Sequence, residues 1–174
     1  MPIVTRSFTL ALPPKCGCSW VLAALPASDV VLGRRANQHI LVPGRVDGLP
    51  SITCVRSVDS MLLSYWSNRD KLGPARVGAV DVLIDLVKQC ESFGQFIRRY
   101  LDHHVGLVQR IFALYESDHV VRTDKIGADM ARVFREIGIE FDAAVLRDFP
   151  VRNQTEDKPR WPRGLKKRVI EATA

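Results

Sequence analysis

Long apolar runs are missing from this sequence. No stretch reaches the about 18 consecutive apolar residues that a membrane-spanning helix needs. The N-terminus contains proline and lacks the basic-then-apolar order of a secretion signal. We therefore expect a cytoplasmic protein with no membrane span.

Cysteines with metal-ligand spacing are also missing. Cys16, Cys18, Cys54 and Cys90 form no Cys-x-x-Cys pair and no cysteine and histidine set with zinc spacing. This disfavours both a structural metal and a disulfide framework. We expect reduced thiols and no metal cofactor.

Two further patterns are absent. There is no internal repeat or low-complexity tract, which disfavours a solenoid. There is also no Gly-Lys-Ser/Thr ending of the Walker type, so the usual phosphate-binding loop formula is not met. Any phosphate site in this chain must be built differently.

The composition is that of a soluble globular chain. Its 174 residues are 47% hydrophobic and 25% charged, which suits one domain, residues 1–174, with one core. The net charge is +6, and the stretch from Arg152 to Arg168 has seven basic and two acidic residues. Such a cluster indicates either an anionic partner or a solvated tail.

Short strand patterns alternate with helical patterns along the chain. We predict strands at residues 7–12, 39–42, 51–55 and 119–122. We predict helices at residues 19–25 (ending before Pro26), 58–66, 79–90, 93–115, 124–137 and 165–172. The alternation implies an α/β fold with a central parallel sheet and helices on both faces, a three-layer α/β/α arrangement.

Two segments are suited to hold anions beyond the carboxyl ends of strands. In the first, Lys15 to Trp20 joins a strand to a helix; Lys15 supplies a cation and Gly17 allows close backbone approach. In the second, Arg56 ends the strand 51–55, and Ser64 follows eight residues later on a helix. Arginine and lysine are the side chains that suit phosphate oxygens.

Both segments resemble motifs of the sulfotransferases that use 3′-phosphoadenosine-5′-phosphosulfate. The family's strand followed by a Pro-Lys-Ser-Gly-Thr-Thr-Trp loop is similar to residues 14–20, Pro-Lys-Cys-Gly-Cys-Ser-Trp. Its strand-ending arginine, with a serine eight positions on and a tyrosine next, is similar to Arg56, Ser64 and Tyr65. A weaker similarity covers residues 119–141. The resemblance implies a P-loop NTPase-like fold and sulfuryl transfer to a small-molecule or glycan acceptor, with no nucleic acid partner.

The resemblance also implies a role for each matching residue. Lys15, Cys16, Gly17, Cys18 and Ser19 would wrap the 5′-phosphosulfate, with Lys15 stabilising the leaving group. The remaining nucleotide contacts would come from Trp20 near the adenine, from Arg56 and Ser64 on the 3′-phosphate, and from a basic clamp including Arg163 and Gly164. Core packing is the alternative role for Trp20.

The catalytic base is expected upstream of Arg56, where many members of that family place a histidine at a strand end. His39 occupies a comparable position, and a histidine pKa of about 6.5 suits proton abstraction. A surface or packing role is the alternative for His39.

The departures from the family pattern leave other functions open. Cys16 and Cys18 stand where the family has Ser or Thr, and Thr123 stands where it often has tyrosine. A non-catalytic nucleotide or polyanion binder is therefore one alternative. A small nucleotide kinase is another, disfavoured by the missing Walker ending.

Overall fold

A computed structural model describes residues 2–32, 48–73, 78–150 and 158–174. The strands are β1 (Pro2–Val4), β2 (Thr9–Ala11), β3 (Ser51–Val55) and β4 (His119–Arg122). The helices are α1 (Cys18–Ala27), α2 (Val58–Ser67), α3 (Gly78–Lys88), α4 (Phe93–His103), α5 (Leu107–Ala113), α6 (Ile126–Glu136), α7 (Ala143–Asp148) and α8 (Leu165–Ala172). In these described residues, no helix combines the length and hydropathy needed to cross a membrane.

The chain divides into two compact units. The first comprises Met1–Arg56 and Leu114–Gln154 and contains the sheet; the second comprises Ser57–Ala113 and Thr155–Ala174 and is helical where the structure describes it. That the whole chain forms one domain remains a prediction.

The sheet of the first unit has four strands in the order β1-β2-β3-β4. The pairs β2·β3 and β3·β4 are parallel, with Ala11 opposite Thr53 and Val55 opposite Arg122. All of β2 and most of β3 are buried, as expected for parallel strands covered on both faces. The protein is thus α/β with a mostly parallel sheet, compatible with the three-layer arrangement.

The expected central parallel sheet is extended at its edge by β1, which pairs antiparallel with β2. Only four residues, 5–8, join these strands, and so short a connection permits only an antiparallel pair. Thr5 fixes this turn: its hydroxyl donates to Phe8 O at 2.7 Å and accepts from the backbone N–H of Phe8 at 2.8 Å. The short apolar strand before this turn was not predicted from the sequence.

Helix α1 extends past the proline at which the sequence predicted its end. Pro26 lies in the last turn, and Ser28 closes that turn by donating its backbone N–H to Ala24 O at 3.0 Å and its hydroxyl to Leu25 O at 3.0 Å. These bonds hold the residues around the proline in helical geometry. The prediction of a helix ending before Pro26 is therefore wrong.

The second unit packs its helices around an aromatic cluster. Trp66 on α2 stacks on Phe96 of α4 with ring centroids 5.9 Å apart, and Phe93 meets Trp161 edge to face at 4.9 Å. Helix α8 packs on α2 and α4 through buried Leu165 and Val169. Its bounds match the prediction for residues 165–172.

The predicted helix 93–115 is wrong as a single element, because it divides into α4 and α5. Gly106 interrupts it with a φ of 85°, a left-handed conformation that cannot continue a right-handed helix. The strands 51–55 and 119–122 and the helix at 58–66 are confirmed, with small differences at the helix end. The predicted strand 39–42 lies outside the described residues.

Candidate anion-binding site

The loop between β2 and α1 has a constrained backbone. Lys15 has a φ of 65° and Gly17 a φ of 82°, both in the left-handed region. A Cβ at Gly17 would lie 2.8 Å from Ile126 Cδ1, so the loop packs closely on the start of α6. A lysine held in this conformation is uncommon, and such positions concentrate at functional sites.

The loop leads directly into the N-terminus of α1. Gly17 is the N-cap residue and makes no side-chain capping bond, and no acidic residue lies in the first turn. The first-turn amides of a helix have no carbonyl partner within the helix and carry partial positive charge. Ser19 lies in this turn with its side chain exposed. An anion is the ligand that suits such a helix end.

Arg56 lies at the same edge of the sheet as this loop. It follows β3, the parallel neighbour of β2, so both strands end at one edge. The Arg56 guanidinium donates from Nη1 to Lys15 O at 3.2 Å. The structure therefore brings together two of the cationic residues that the sequence predicts for anion binding.

A third segment completes this edge. Thr123 follows β4, and its Cγ2 would lie 3.7 Å from a Cβ at Gly17. The end of β4 is held by Asp129, which accepts from Arg122 N at 3.0 Å, Nε at 2.9 Å and Nη2 at 3.1 Å. These hydrogen bonds with Arg122 lower the pKa of the Asp129 carboxyl. Sequence reasoning missed this pair, for which the spacing gives no signal.

The two loop cysteines are neutral at physiological pH. Cys16 is fully buried, and burial raises the pKa of its thiol far above the usual range. Burial likewise raises the pKa of Cys18, whose thiol donates to Pro13 O at 3.6 Å. The loop thus gains no thiolate that would repel an anion, and its thiols are weak donors compared with hydroxyls.

Trp20 is placed in the core of the first unit. Its side chain is buried, its ring meets Phe149 edge to face at 6.0 Å, and its indole N–H donates to Phe149 O at 3.3 Å. Packing therefore accounts for both its ring and its polar atom. The contact with Phe149, which follows α7, was not predicted from the sequence. Asp142, the N-cap of α7, accepts from Ala144 N and Val145 N, and this N-cap residue is the signal in the sequence that could have predicted α7.

Three of the other predicted site residues belong to the second unit. Ser64 is half-buried on α2 in the second unit, and its backbone carbonyl accepts from Asn68 Nδ2 at 2.8 Å. Arg163 is exposed, and Gly164 is the N-cap of α8 with a φ of 77°, also in the second unit. His39 lies outside the described residues. Within the first unit, the structure brings together Lys15, Gly17, Ser19 and Arg56.

Comparison of the chain with protein-family models, with curated proteins and with solved structures finds no match.

Proposed function

We propose that this protein is a sulfotransferase that takes the sulfuryl group from 3′-phosphoadenosine-5′-phosphosulfate, on a P-loop NTPase-like form of the α/β fold. The observation that carries the proposal is the hydrogen bond from Arg56 to Lys15 O. It joins the two motifs that resemble those of sulfotransferases at one edge of the parallel sheet, although 41 residues separate them in the chain. In open α/β sheets this edge is where ligands bind.

In this proposal the loop holds the phosphosulfate. The amides at the N-terminus of α1 and the hydroxyl of Ser19 receive its oxygens, while Lys15 contributes a compact positive charge. Gly17 keeps the backbone free of a side chain where the anion approaches. Arg56 supports the loop through the Lys15 carbonyl and, with five donors in a planar group, also suits a phosphate oxygen.

The reaction breaks the bond between sulfur and the bridging oxygen of the donor and forms a bond between sulfur and the acceptor atom. The electron pair stays on the bridging oxygen, giving 3′-phosphoadenosine 5′-phosphate, and Lys15 stabilises that developing charge. The acceptor is a hydroxyl or amine and its proton passes to a base, for which His39 remains the proposed residue. Trp20 is assigned to packing.

A non-catalytic nucleotide binder is the second candidate, and the loop cysteines favour it. A buried Cys16 and a Cys18 thiol directed to Pro13 O leave Ser19 as the hydroxyl of this loop. Amides and two cations are sufficient for binding, whereas transfer needs stabilisation of the leaving oxygen as well.

The first experiment is calorimetric titration with 3′-phosphoadenosine 5′-phosphate. Loss of one charge-assisted bond to phosphate costs roughly 1.5–3 kcal/mol, so we expect Arg56→Gln and Lys15→Gln to weaken binding by about 10-fold to 100-fold. Arg6→Gln is the matched control, because Arg6 is exposed in the same unit and the charge change is identical.

Equal affinities for Arg56→Gln and Arg6→Gln would remove Arg56 from the site. Stabilisation by ATP with magnesium, without stabilisation by 3′-phosphoadenosine 5′-phosphate, would replace the proposal with a kinase. A screen with radiolabelled donor over phenols, sugars, lipids and peptides then separates the two candidates: transfer to an acceptor identifies the enzyme, and binding without any transfer identifies the binder.

A further inference from the structure

A second place suited to an anion lies in the helical unit, at the C-terminal end of α2. An open depression of about 340 Å³ is lined by Trp66, Ser67, Arg69, Lys158 and Pro159. Its volume falls in the range of small-molecule sites, roughly 300–1,000 Å³. None of the residues to which the sulfotransferase resemblance assigns a nucleotide contact lines it.

Arg69 is held in position by the aromatic ring beneath it. Its guanidinium carbon lies 4.5 Å from the centroid of the Trp66 ring, and Trp66 is itself fixed in the aromatic cluster. A guanidinium this close to a ring is attracted by the ring's electrons and keeps its N–H groups as donors. Its contact with the Asp70 carboxylate is long, 3.9 Å, and Asp70 is 88% exposed, so this pair neutralises Arg69 weakly.

Ser67 supplies an unsatisfied polar atom at the same place. Its Oγ is buried and has no hydrogen-bond partner in the part of the chain that the structure describes. Buried polar atoms are nearly always paired with protein, water or a ligand. A hydroxyl beside two cations is suited to donate to an oxyanion.

The surrounding charge selects an anion over a cation. Residues 158–168 contain six basic residues and no acidic one, and their cations include exposed Lys158 and Arg160. The partial negative charge at the end of α2 is about half an elementary charge, less than the two cations of the depression supply. The side chains that line the depression therefore carry a net positive charge.

We propose that this depression binds the tetrahedral oxyanion of a phosphate or sulfate ester. Arg69 and Lys158 pair with its oxygens and the Ser67 hydroxyl donates to it. The rest of the ligand extends along Pro159 towards solvent. None of its lining residues belongs to the loop at Lys15.

The test is nuclear magnetic resonance titration of the full chain, labelled with nitrogen-15, at fixed ionic strength. Phenyl phosphate and phenyl sulfate are the two probes, and sodium chloride is the blank. We expect saturable shifts of the Trp66 indole N–H and of the Ser67 and Arg69 amides with at least one probe. The probe that binds more tightly shows whether the ligand is a phosphate or a sulfate ester.

Charge-matched variants decide between a site and a diffuse basic surface. We expect Lys158→Gln to weaken the probe's affinity by about 10-fold, and Lys88→Gln, an exposed lysine at the end of α3, to change it by less than about twofold. Ser67→Ala, which removes only the hydroxyl, should also weaken it. Equal effects of the two lysine variants, or shifts reproduced by chloride, would show a diffuse basic surface without a defined site and would overturn the proposal.

Discussion

Replacement of Gly17 by alanine tests the conformation of the candidate loop. The φ of 82° at Gly17 costs an L-residue roughly 1–2 kcal/mol. The added Cβ would also lie 2.8 Å from Ile126 Cδ1, and overpacking typically costs about 1–3 kcal/mol. Because that atom is the end of a flexible side chain, we expect about 1 kcal/mol from the contact and a total loss of about 2–3 kcal/mol.

A second glycine separates the two contributions. Gly138, in the same unit, has a φ of 71°, and a Cβ added there would have no atom within 4 Å among the described residues, so Gly138→Ala reports backbone strain alone. Urea denaturation of both variants should therefore give a smaller loss for Gly138→Ala, by about 1 kcal/mol. For a chain of this size, about 1 kcal/mol corresponds to a change in Tm of about 2–4 °C.

A double-mutant cycle identifies the atom responsible. Ile126→Val removes Cδ1 and alone costs about 0.5–1.5 kcal/mol. When it is combined with Gly17→Ala, the double variant should lose about 1 kcal/mol less than the sum of the two single losses, because the close contact is gone. Equal losses for the two glycine variants, or strict additivity of the pair, would refute the packing of the loop on α6.

Three further predictions concern packing, pH and thiol reactivity. A Cβ at Gly127 would lie 2.7 Å from the backbone oxygen of Leu146, which moves less easily than a side chain. Urea denaturation of Gly127→Ala should therefore show a loss of about 2–3 kcal/mol in the free energy of unfolding. A gain in stability would contradict the contact of α6 with α7. Asp129 has a lowered pKa in the folded state, so the stability it contributes is present above the unfolded pKa of about 4 and is lost as pH falls through the folded pKa. Asp129→Asn should therefore flatten the dependence of the free energy of unfolding on acid pH. An unchanged slope would refute the pairing of Asp129 with Arg122. Burial raises the pKa of all four cysteine thiols. Iodoacetamide should therefore label the native protein slowly at neutral pH and the urea-unfolded protein rapidly, as measured by mass spectrometry. Rapid labelling of the native protein would be inconsistent with this burial.

The sequence predicts helices and strands well where the local hydrophobic pattern and the tertiary contacts favour the same structure. The β-branched run 51–55 and the apolar face of residues 58–66 fold as a strand and a helix, and each buries most of its apolar residues. The closing helix at 165–172 is found with its predicted bounds and buries Leu165 and Val169. Local patterns are sufficient at these places because tertiary packing favours the same structure.

The errors arise where geometry depends on contacts distant in sequence or on single backbone torsions. Strand β1 is only three residues long and gains its structure from pairing with β2. The apolar periodicity from 93 to 115 continues across Gly106, whose left-handed torsion interrupts the helix without interrupting the pattern. Periodicity records which residues are buried and does not record such a torsion.

The structure joins Lys15 and Arg56, two residues of the predicted site, by a hydrogen bond that the sequence did not predict. Sequence reasoning assigned Arg56 to a phosphate, whereas the structure shows its guanidinium donating to the carbonyl of Lys15. The two roles have separable consequences, since a ligand stabilises only through differential binding to the folded state. If Arg56 acts on the loop alone, Arg56→Gln lowers the Tm of the free protein and leaves the increment from 3′-phosphoadenosine 5′-phosphate intact. If it also holds phosphate, that increment shrinks in addition to the loss of Tm in the free protein.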